Sequence, residues 1–289
     1  MVDQAAGLRQ MMHGSDSSLS GVGTRVITIT SGKGGVGKTS LSVNLGMAMA
    51  KMGKKVLLFD ADLGLANINV LVGVIPKFNL FHVVKGHKTL EEIIIHTPEG
   101  LDIIAGASGY SSLADLSEKE RESLISSFES ISGYDVLLID TGAGVSSNVV
   151  GFTLPAHDVL VVTTPEPTSI TDAYGIIKSI VLVAPEKNIK LLVNRVGSSL
   201  EGKKVAERVM NISNQFLNVR IENTGFVYED ENVGKSIRRQ KPFFILFPKS
   251  RASSCLGMVA ARLLNAEPPA ESGSIGSFFK KLFQVQAEV

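Results

Sequence analysis

The sequence contains a single cysteine, Cys255. One thiol cannot form an intramolecular disulfide, and it cannot supply the several thiolates of a cysteine-based zinc site or a metal cluster. The chain also has no apolar run of the ~18 to 20 residues that a membrane-spanning helix needs, and its polar N-terminus lacks the apolar middle of a secretory signal. We therefore expect a protein of the reducing cytoplasm.

The chain has little net charge, with a formal value of +1. A protein whose whole surface binds nucleic acid has a strong positive field, so this balance excludes that class. Four basic residues form a local cluster, which is more often a solvated face than a binding site. They are Lys235, Arg238, Arg239 and Lys241. Direct DNA binding is disfavoured.

Apolar runs that end in polar residues recur along the chain, mostly separated by segments of helical length. Their near-continuous Val, Ile and Leu content is typical of strands buried on both faces of a sheet. We predict an α/β fold, a single phosphate-loop NTPase domain whose twisted, mostly parallel sheet is covered by helices on both faces. Ligands of such sheets bind where the strands end at their carboxyl edge. The runs are 26–30, 56–60, 101–104, 136–140, 159–163 and 191–194.

Four segments are predicted from composition and pattern. Residues 1–23 form a flexible arm, and 24–266 form the nucleotide-binding domain. Residues 267–274 are rich in Pro, Gly and Ser, as a linker is, and 275–289 form an amphipathic helix.

Residues 32–39 follow the spacing G-x-x-x-x-G-K-[ST] between a β-like run and a helix-like run. The glycines let backbone amides turn toward phosphate oxygens, and the following helix adds the positive end of its dipole. Lys38 is predicted to meet the β- and γ-phosphates of ATP, and the hydroxyl of Thr39 to ligate Mg²⁺. The predicted nucleotide contacts are Gly32, Lys33, Gly34, Gly35, Val36, Gly37, Lys38, Thr39 and Ser40.

A magnesium site also needs a carboxylate at the end of a nearby strand. Asp140 ends one apolar run, and Asp60 and Asp62 follow another. Thr39, Asp60 and Asp140 are the predicted metal-side residues, and Asp62 could orient the attacking water. An acid at a strand end is often only a turn residue, and that alternative stays open for Asp60 and Asp62.

Lys33 is an additional cation in the loop, and the run Lys-Gly-Gly-Val-Gly-Lys-Thr resembles the deviant Walker A loop of the MinD/ParA family of dimerising ATPases. The resemblance spans about residues 24–265. It implies that Lys33 reaches the nucleotide of a second subunit in an ATP-dependent homodimer. It also implies that Asp62 orients water and that Asn194 contacts adenine, so Lys38, Lys33 and Asp62 are the expected catalytic residues.

Residues 3–9, 140–144 and 164–174 are similar to a subgroup of that family that regulates flagella, although Gly142 replaces a proline common in other members. This implies that an FlhF-type signal-recognition GTPase binds the N-terminal arm through Gln4 and Leu8. It also implies a flagellar transcription activator as a partner. Ala5, Leu8 and Met12 share one helical face, as a docking helix would require. The alternative is a disordered tail with a chance match.

The last segment places its large apolar groups on one helical stripe and its lysines elsewhere. This pattern is typical of helices at an anionic membrane surface, here the inner face of the cell membrane. The preceding linker is expected to detach the helix from the domain; the alternative is a terminal helix that packs on the core. The residues are Ile275, Phe278, Phe279, Leu282 and Phe283, with Lys280 and Lys281.

These features predict a slow, Mg-dependent ATPase switch that dimerises on ATP, binds the membrane reversibly and regulates flagellar number or placement. Two alternatives remain open. One is a ParA-like DNA-partition ATPase that uses the basic cluster. The other is an interaction protein that inhibits a flagellar transcription activator while hydrolysis times the complex.

Overall fold

The computed structural model describes residues 23–62, 67–106, 116–266 and 273–288, with the backbone alone at 287 and 288. Its strands are Arg25–Ser31 (β1), Val56–Ala61 (β2), Ile95–His96 (β3), Leu101–Ile104 (β4), Val136–Ala143 (β5), Asp158–Thr163 (β6), Ile189–Val196 (β7) and Glu222–Tyr228 (β8). The helices are Lys38–Lys51 (α1), Ile68–Val72 (α2), Leu80–Val84 (α3), Leu90–Ile93 (α4), Glu118–Ser130 (α5), Ser147–Thr153 (α6), Pro167–Val183 (α7), Ser199–Leu217 (α8), Glu231–Arg238 (α9), Phe243–Leu246 (α10), Arg251–Asn265 (α11) and Ile275–Glu288 (α12).

The strands form one sheet in the order β3-β4-β2-β5-β1-β6-β7-β8. Only the short β3 is antiparallel to its neighbour, and every other pairing in the described sheet is parallel. The predicted fold class is confirmed, and all six apolar runs are strands. The phosphate loop follows β1 near the centre of the sheet, where loops from both sides can reach it.

Alternate residues of each strand enter different cores, because side chains alternate between the faces of a sheet. On β1, Ile27 and Ile29 belong to one core and Val26 to another. The first face is covered mainly by α1 and α11. The opposite face is covered by α5, α6 and α12 on one side and by α7 and α8 on the other.

Arg25 joins the first strand to the end of α11. Its Nε donates to Asp158 Oδ2 at 2.7 Å, and its Nη1 donates to the carbonyl oxygens of Leu263 and Ala266 at 2.8 and 3.2 Å. The carbonyls at a helix C-terminus lack partners within the helix, so the guanidinium satisfies them. The point where the chain leaves α11 toward the last helix is therefore fixed to the sheet.

Helix α12 packs on the domain. The five apolar residues of its stripe are at most 4% exposed and belong to the same core as β2, β5 and α5. The Phe279 ring stacks on Phe128 with centroids 3.5 Å apart, and its edge meets the Phe59 ring at 5.4 Å. The expected stripe is present, but the expectation of a detached helix is wrong for this state. Burial of each large apolar side chain stabilises docking by about 1.5 to 3 kcal/mol.

Gly276 permits the close approach of α12 to α5. A Cβ atom built on Gly276 would lie 2.3 Å from Cγ of Glu129 and 2.9 Å from its Cα atom. A side chain at this position would require the Glu129 side chain to move and the two helices to separate slightly. The exposed side chains of Lys280 and Lys281 lie on the outer face of the docked helix.

We predict that Phe279→Ala lowers the free energy of unfolding by about 3 to 5 kcal/mol, because it removes a buried ring from a packed core. The measurement is urea unfolding of the full chain. The matched control is Lys280→Ala on the same helix, for which we expect a change within about 0.5 kcal/mol. Equal, small effects of the two substitutions would contradict the docked position of α12.

Candidate nucleotide-binding site

The loop after β1 begins α1 through Gly37, whose φ of 87° is left-handed. This conformation favours glycine. The surroundings demand glycine too, since a Cβ on Gly37 would lie 2.6 Å from Asn194 Nδ2 and one on Gly32 would lie 1.9 Å from the Asp172 carbonyl oxygen. The glycine spacing seen in the sequence thus corresponds to close backbone approaches in the fold.

A cavity of about 440 Å³ opens above the loop. Its lining brings Asp62, which follows β2, together with Lys33, Lys38 and Thr39 of the loop. A carbon built on Gly142 would lie 3.9 Å from Asp62 Oδ1, so the Asp62 carboxylate also faces the segment after β5. The catalytic role of Asp62 remains a prediction, but its position suits a group that orients water at a phosphate.

Lys38 and Asp140 form a buried ion pair beneath this cavity. Lys38 Nζ lies 3.1 Å from Asp140 Oδ1 and also donates to the carbonyl oxygen of Thr141. Ser42 Oγ donates to the same Asp140 oxygen at 2.7 Å. The lysine is 7% exposed and the aspartate 0%, so water does not screen the pair. This network links the start of α1 to the end of β5.

The second carboxylate oxygen of Asp140 suits a magnesium ion. Oδ2 is buried and has no hydrogen-bond partner among the described residues. A buried polar atom without a partner is costly, and Mg²⁺ is commonly held by one or two carboxylates together with phosphate oxygens and water. Thr39 lines the adjoining cavity. Thr39 and Asp140 therefore fit the ion, which when bound would neutralise charge on the β- and γ-phosphates.

Asp60 lies beside Asp140, because β2 and β5 pair these two residues in register. Burial and, to a smaller extent, the nearby Asp140 charge raise the pKa of Asp60 to about 7. Its oxygens accept from the amides of Asp62 at 3.2 Å and Ile68 at 3.5 Å. Asp60 thus positions the loop that carries Asp62, and its metal role remains a prediction.

A second cavity, of about 230 Å³, continues from the loop toward β8. Asn194 lines it and donates from Nδ2 to the Val36 carbonyl oxygen at 2.8 Å, which ties β7 to the phosphate loop. The remaining walls come from the end of β8 and from α9 and α10. Its size and its place beside the loop suit a nucleobase, and the contact of Asn194 with adenine remains a prediction.

Several residues of this second cavity escaped the sequence reasoning, although β8 ends in polar residues like the other strands. Tyr228 stacks under the Arg251 guanidinium, whose carbon lies 3.7 Å from the ring centroid. The residues not predicted are Leu41, Arg195, Val227, Tyr228, Glu229, Asp230, Val233, Gly234, Ile237 and Phe243.

Lys33 is held within its own chain in this structure. Its Nζ lies 2.9 Å from both Glu166 Oε2 and Thr168 Oγ1, at the start of α7. The pair is exposed, at 37% for the lysine and 55% for the glutamate side chain. Exposed ion pairs of this kind are weak. The predicted partner residues Gln4 and Leu8 lie outside the described residues.

The loop, the buried lysine–aspartate pair and the adjoining base-sized cavity define a phosphate-loop nucleotide-binding protein. Residues 27–243 match the family model of the CobQ/CobB/MinD/ParA nucleotide binding domain. The chain belongs to this family, and the predicted resemblance to MinD/ParA ATPases is confirmed.

Two relatives match nine tenths of the chain, and the name of the second refers to the flagellum. The antiactivator FleN of Pseudomonas aeruginosa is 39% identical over 262 residues, which cover 90% of this chain and 94% of FleN. The flagellum site-determining protein YlxH of Helicobacter pylori is 34% identical over 269 residues, which cover 90% of each protein.

Solved structures show the same fold. MinD in the MinC:MinD cell division complex of Aquifex aeolicus has a TM-score of 0.70 and 29% identity, covering 86% of this chain and 99% of that one. MinD of Pyrococcus horikoshii, solved with Mg-ADP, has a TM-score of 0.67 and 28% identity, covering 84% of this chain and 96% of that one.

We predict that Asp60→Asn stabilises the nucleotide-free protein in a pH-dependent manner. The folded-state pKa of about 7 exceeds the unfolded value of ~3.9, so ionisation of the buried carboxyl destabilises the fold progressively as pH rises between these values. The gain in unfolding free energy should be on the order of a few kcal/mol at about pH 8 and smaller at about pH 5.

Urea unfolding at both pH values, in chelator without nucleotide, measures this effect. Asp62→Asn is the matched control, because its half-exposed side chain predicts a change within about 0.5 kcal/mol at either pH. A gain for Asp60→Asn that is the same at both pH values would contradict the raised pKa.

Proposed function

We propose that the chain is an ATP-dependent dimerising ATPase switch that associates with the inner membrane surface and regulates flagellar number or placement. It acts with an FlhF-type GTPase and in the control of flagellar transcription. The observation that carries this proposal is the complete phosphate site with its additional Lys33, in a chain similar to FleN and YlxH along nine tenths of its length.

ATP turnover follows from the arrangement of the site. The loop amides and Lys38 bind the phosphates, Thr39 and Asp140 hold Mg²⁺, and Asp62 orients water from the opposite side of the cavity. Lys33 leaves Glu166 to reach the nucleotide of a second copy, which makes the dimer depend on ATP. Because the Lys33–Glu166 pair is exposed, breaking it costs little free energy.

Membrane association requires α12 to leave its groove, because its apolar stripe faces the core. Among the described helices none is long and apolar enough to cross a membrane, so the proposed contact lies at the surface. A released α12 presents Phe278, Phe279 and Phe283 together with two lysines. Each lysine contributes about 1 kcal/mol to binding at an anionic leaflet. Two copies in a dimer add avidity to weak single anchors.

The contacts of α6 supply a route from the nucleotide to α12. The Gly144 amide donates to the Ser31 carbonyl oxygen at 2.9 Å, so the segment after β5 is bonded to the residue that immediately precedes the phosphate loop. Ser146 caps α6 through the amide of Val149. On α6, Asn148 Oδ1 accepts from Gln286 of α12 at 3.2 Å. Movement of this segment toward a γ-phosphate would shift α6 and loosen the groove of α12.

Liposome cosedimentation with a reversible lock on α12 tests this proposal. In Glu129→Cys/Gly276→Cys, the Cβ atoms would start 3.1 Å apart, a few tenths of an ångström closer than the usual minimum of about 3.5 Å for a disulfide. Cys255 is buried and leaves the new pair undisturbed. The reduced variant should bind anionic vesicles several-fold more with ATP than without, and the oxidised variant should bind in neither condition.

The control is Glu129→Cys alone, which cannot form the bond and keeps Gly276, so it should respond to ATP under both redox conditions. Binding of the oxidised double variant with ATP would refute release of α12 as the membrane step. Deletion of 275–289 is a poorer test, because it also removes five core residues.

The proposed GTPase partner is tested through the N-terminal arm. Addition of the full chain should raise GTP hydrolysis by an FlhF-type GTPase, and Gln4→Ala should abolish that stimulation while ATP binding is retained. Asn232→Ala on α9 is a control outside the arm, and it should stimulate like the parent chain. Full stimulation by Gln4→Ala would exclude the proposed contact.

A further inference from the structure

Arg195 has an unusual backbone conformation. Its φ is 60°, in the left-handed region that residues other than glycine rarely adopt. It lies where the pairing of β7 with β8 shifts register between Val193 and Val196. Such irregularities redirect side chains and are common near functional sites. This strained position therefore calls for a reason beyond sheet pairing.

The bulge directs two successive side chains to different targets. Asn194 reaches the phosphate loop at Val36, whereas Arg195 Nε donates to Glu229 Oε2 at 2.7 Å. Arg195 and Glu229 both line the base-sized cavity. They also line a neighbouring polar cavity of about 340 Å³ that contains Glu166. The Arg195–Glu229 pair therefore stands between the two cavities.

Glu166 lies between two cations. Lys33 Nζ donates to it at 2.9 Å. The hydrogen bond from Lys33 lowers the pKa of Glu166, and the charge of Arg195 lowers it further. Glu229, and more weakly Glu166, raise the pKa of Arg195. The four groups thus form a row of charges of alternating sign, in the order Lys33, Glu166, Arg195, Glu229.

We propose that Arg195 is a positioning residue that exchanges between Glu229 and Glu166 and thereby sets how firmly Glu166 holds Lys33. A base that enters its cavity competes for the Arg195–Glu229 pair. The freed guanidinium then neutralises Glu166, and Lys33 is released from its own chain. The inference deepens the proposed function, on which it rests for the role of Lys33 in the ATPase cycle.

The energetics suit an exchange of partners. All four side chains are substantially exposed, with values from 37% for Lys33 to 58% for Glu229. Pairs of this kind are weak and screened by salt, so the alternative pairings are close in free energy. A group that approaches one end of this row of charges can then change the pairing at the other end.

The test measures the amine reactivity of Lys33 in the nucleotide-free full chain. A water-soluble acetylating reagent is applied at low ionic strength, and labelling is quantified by peptide mass spectrometry relative to the exposed, remote Lys54. Arg195→Gln leaves Glu166 to Lys33 alone and should lower Lys33 labelling by about two- to fivefold. Glu229→Gln frees Arg195 for Glu166 and should raise it by a similar factor.

The double variant Arg195→Gln/Glu229→Gln should behave like Arg195→Gln, because the release needs the guanidinium. Arg195→Lys should largely restore the parent value, and Glu166→Gln should give the highest labelling. Adenosine, which carries a base without phosphates, should increase labelling in the parent chain but not in Arg195→Gln.

Unchanged Lys33 labelling across these variants would overturn the proposal and leave Arg195–Glu229 as a structural ion pair. A double variant that labels like Glu229→Gln alone would overturn it as well. Neither result depends on vesicle binding or ATP turnover, so failure of this inference is distinguishable from failure of the proposed function.

Discussion

The buried pair between Lys38 and Asp140 is the interaction on which the rest of the site depends. It joins the first turn of α1 to the end of the central strand β5, and Ser42 supports it from the same helix. Because both charges are removed from water, the loop between β1 and α1 can adopt few other positions. The pair therefore also holds the shape of the phosphate cavity above it, which is lined by Lys33 and Asp62.

The parallel register of β2 and β5 adds a second constraint at the same edge. It places Asp60 directly beside Asp140, and two neighbouring carboxyls in a buried site cannot both ionise without cost. Burial first and this repulsion second raise the pKa of Asp60. A cation at this edge would relieve the repulsion, so the site is electrostatically prepared for the magnesium that accompanies a nucleotide.

The distribution of contacts also connects the site to the last helix. Gly144 is bonded to Ser31, immediately before the phosphate loop, and a few residues later α6 packs on α12 through Asn148 and Gly151. One short element thereby connects the edge of the sheet that carries the site to the docked α12. A switch of the proposed kind needs such a connection, since a ligand can shift an equilibrium only through contacts that differ between the two states.

The local chemistry of the phosphate site could be predicted from the amino-acid sequence alone. The loop at residues 32–39 could be predicted because its glycines and lysine act through neighbouring backbone. Asp140 could be predicted because a hydrophobic run that ends in an acid places the acid at the sheet edge. The strand pattern likewise predicted a parallel sheet buried on both faces. Each of these inferences needed only a few consecutive residues.

Which side chains from distant parts of the sequence come into contact depends on the tertiary structure. Glu229 and Tyr228 join Asn194 in the base cavity only because β8 pairs with β7, and Lys33 meets Glu166 across more than a hundred residues of chain. The stripe of α12 has one hydrophobic pattern whether it faces lipid or core. The core surface that receives the helix, which includes the rings of Phe59 and Phe128, decides its place here, because burial energy depends on the complementary surface and not on the helix alone.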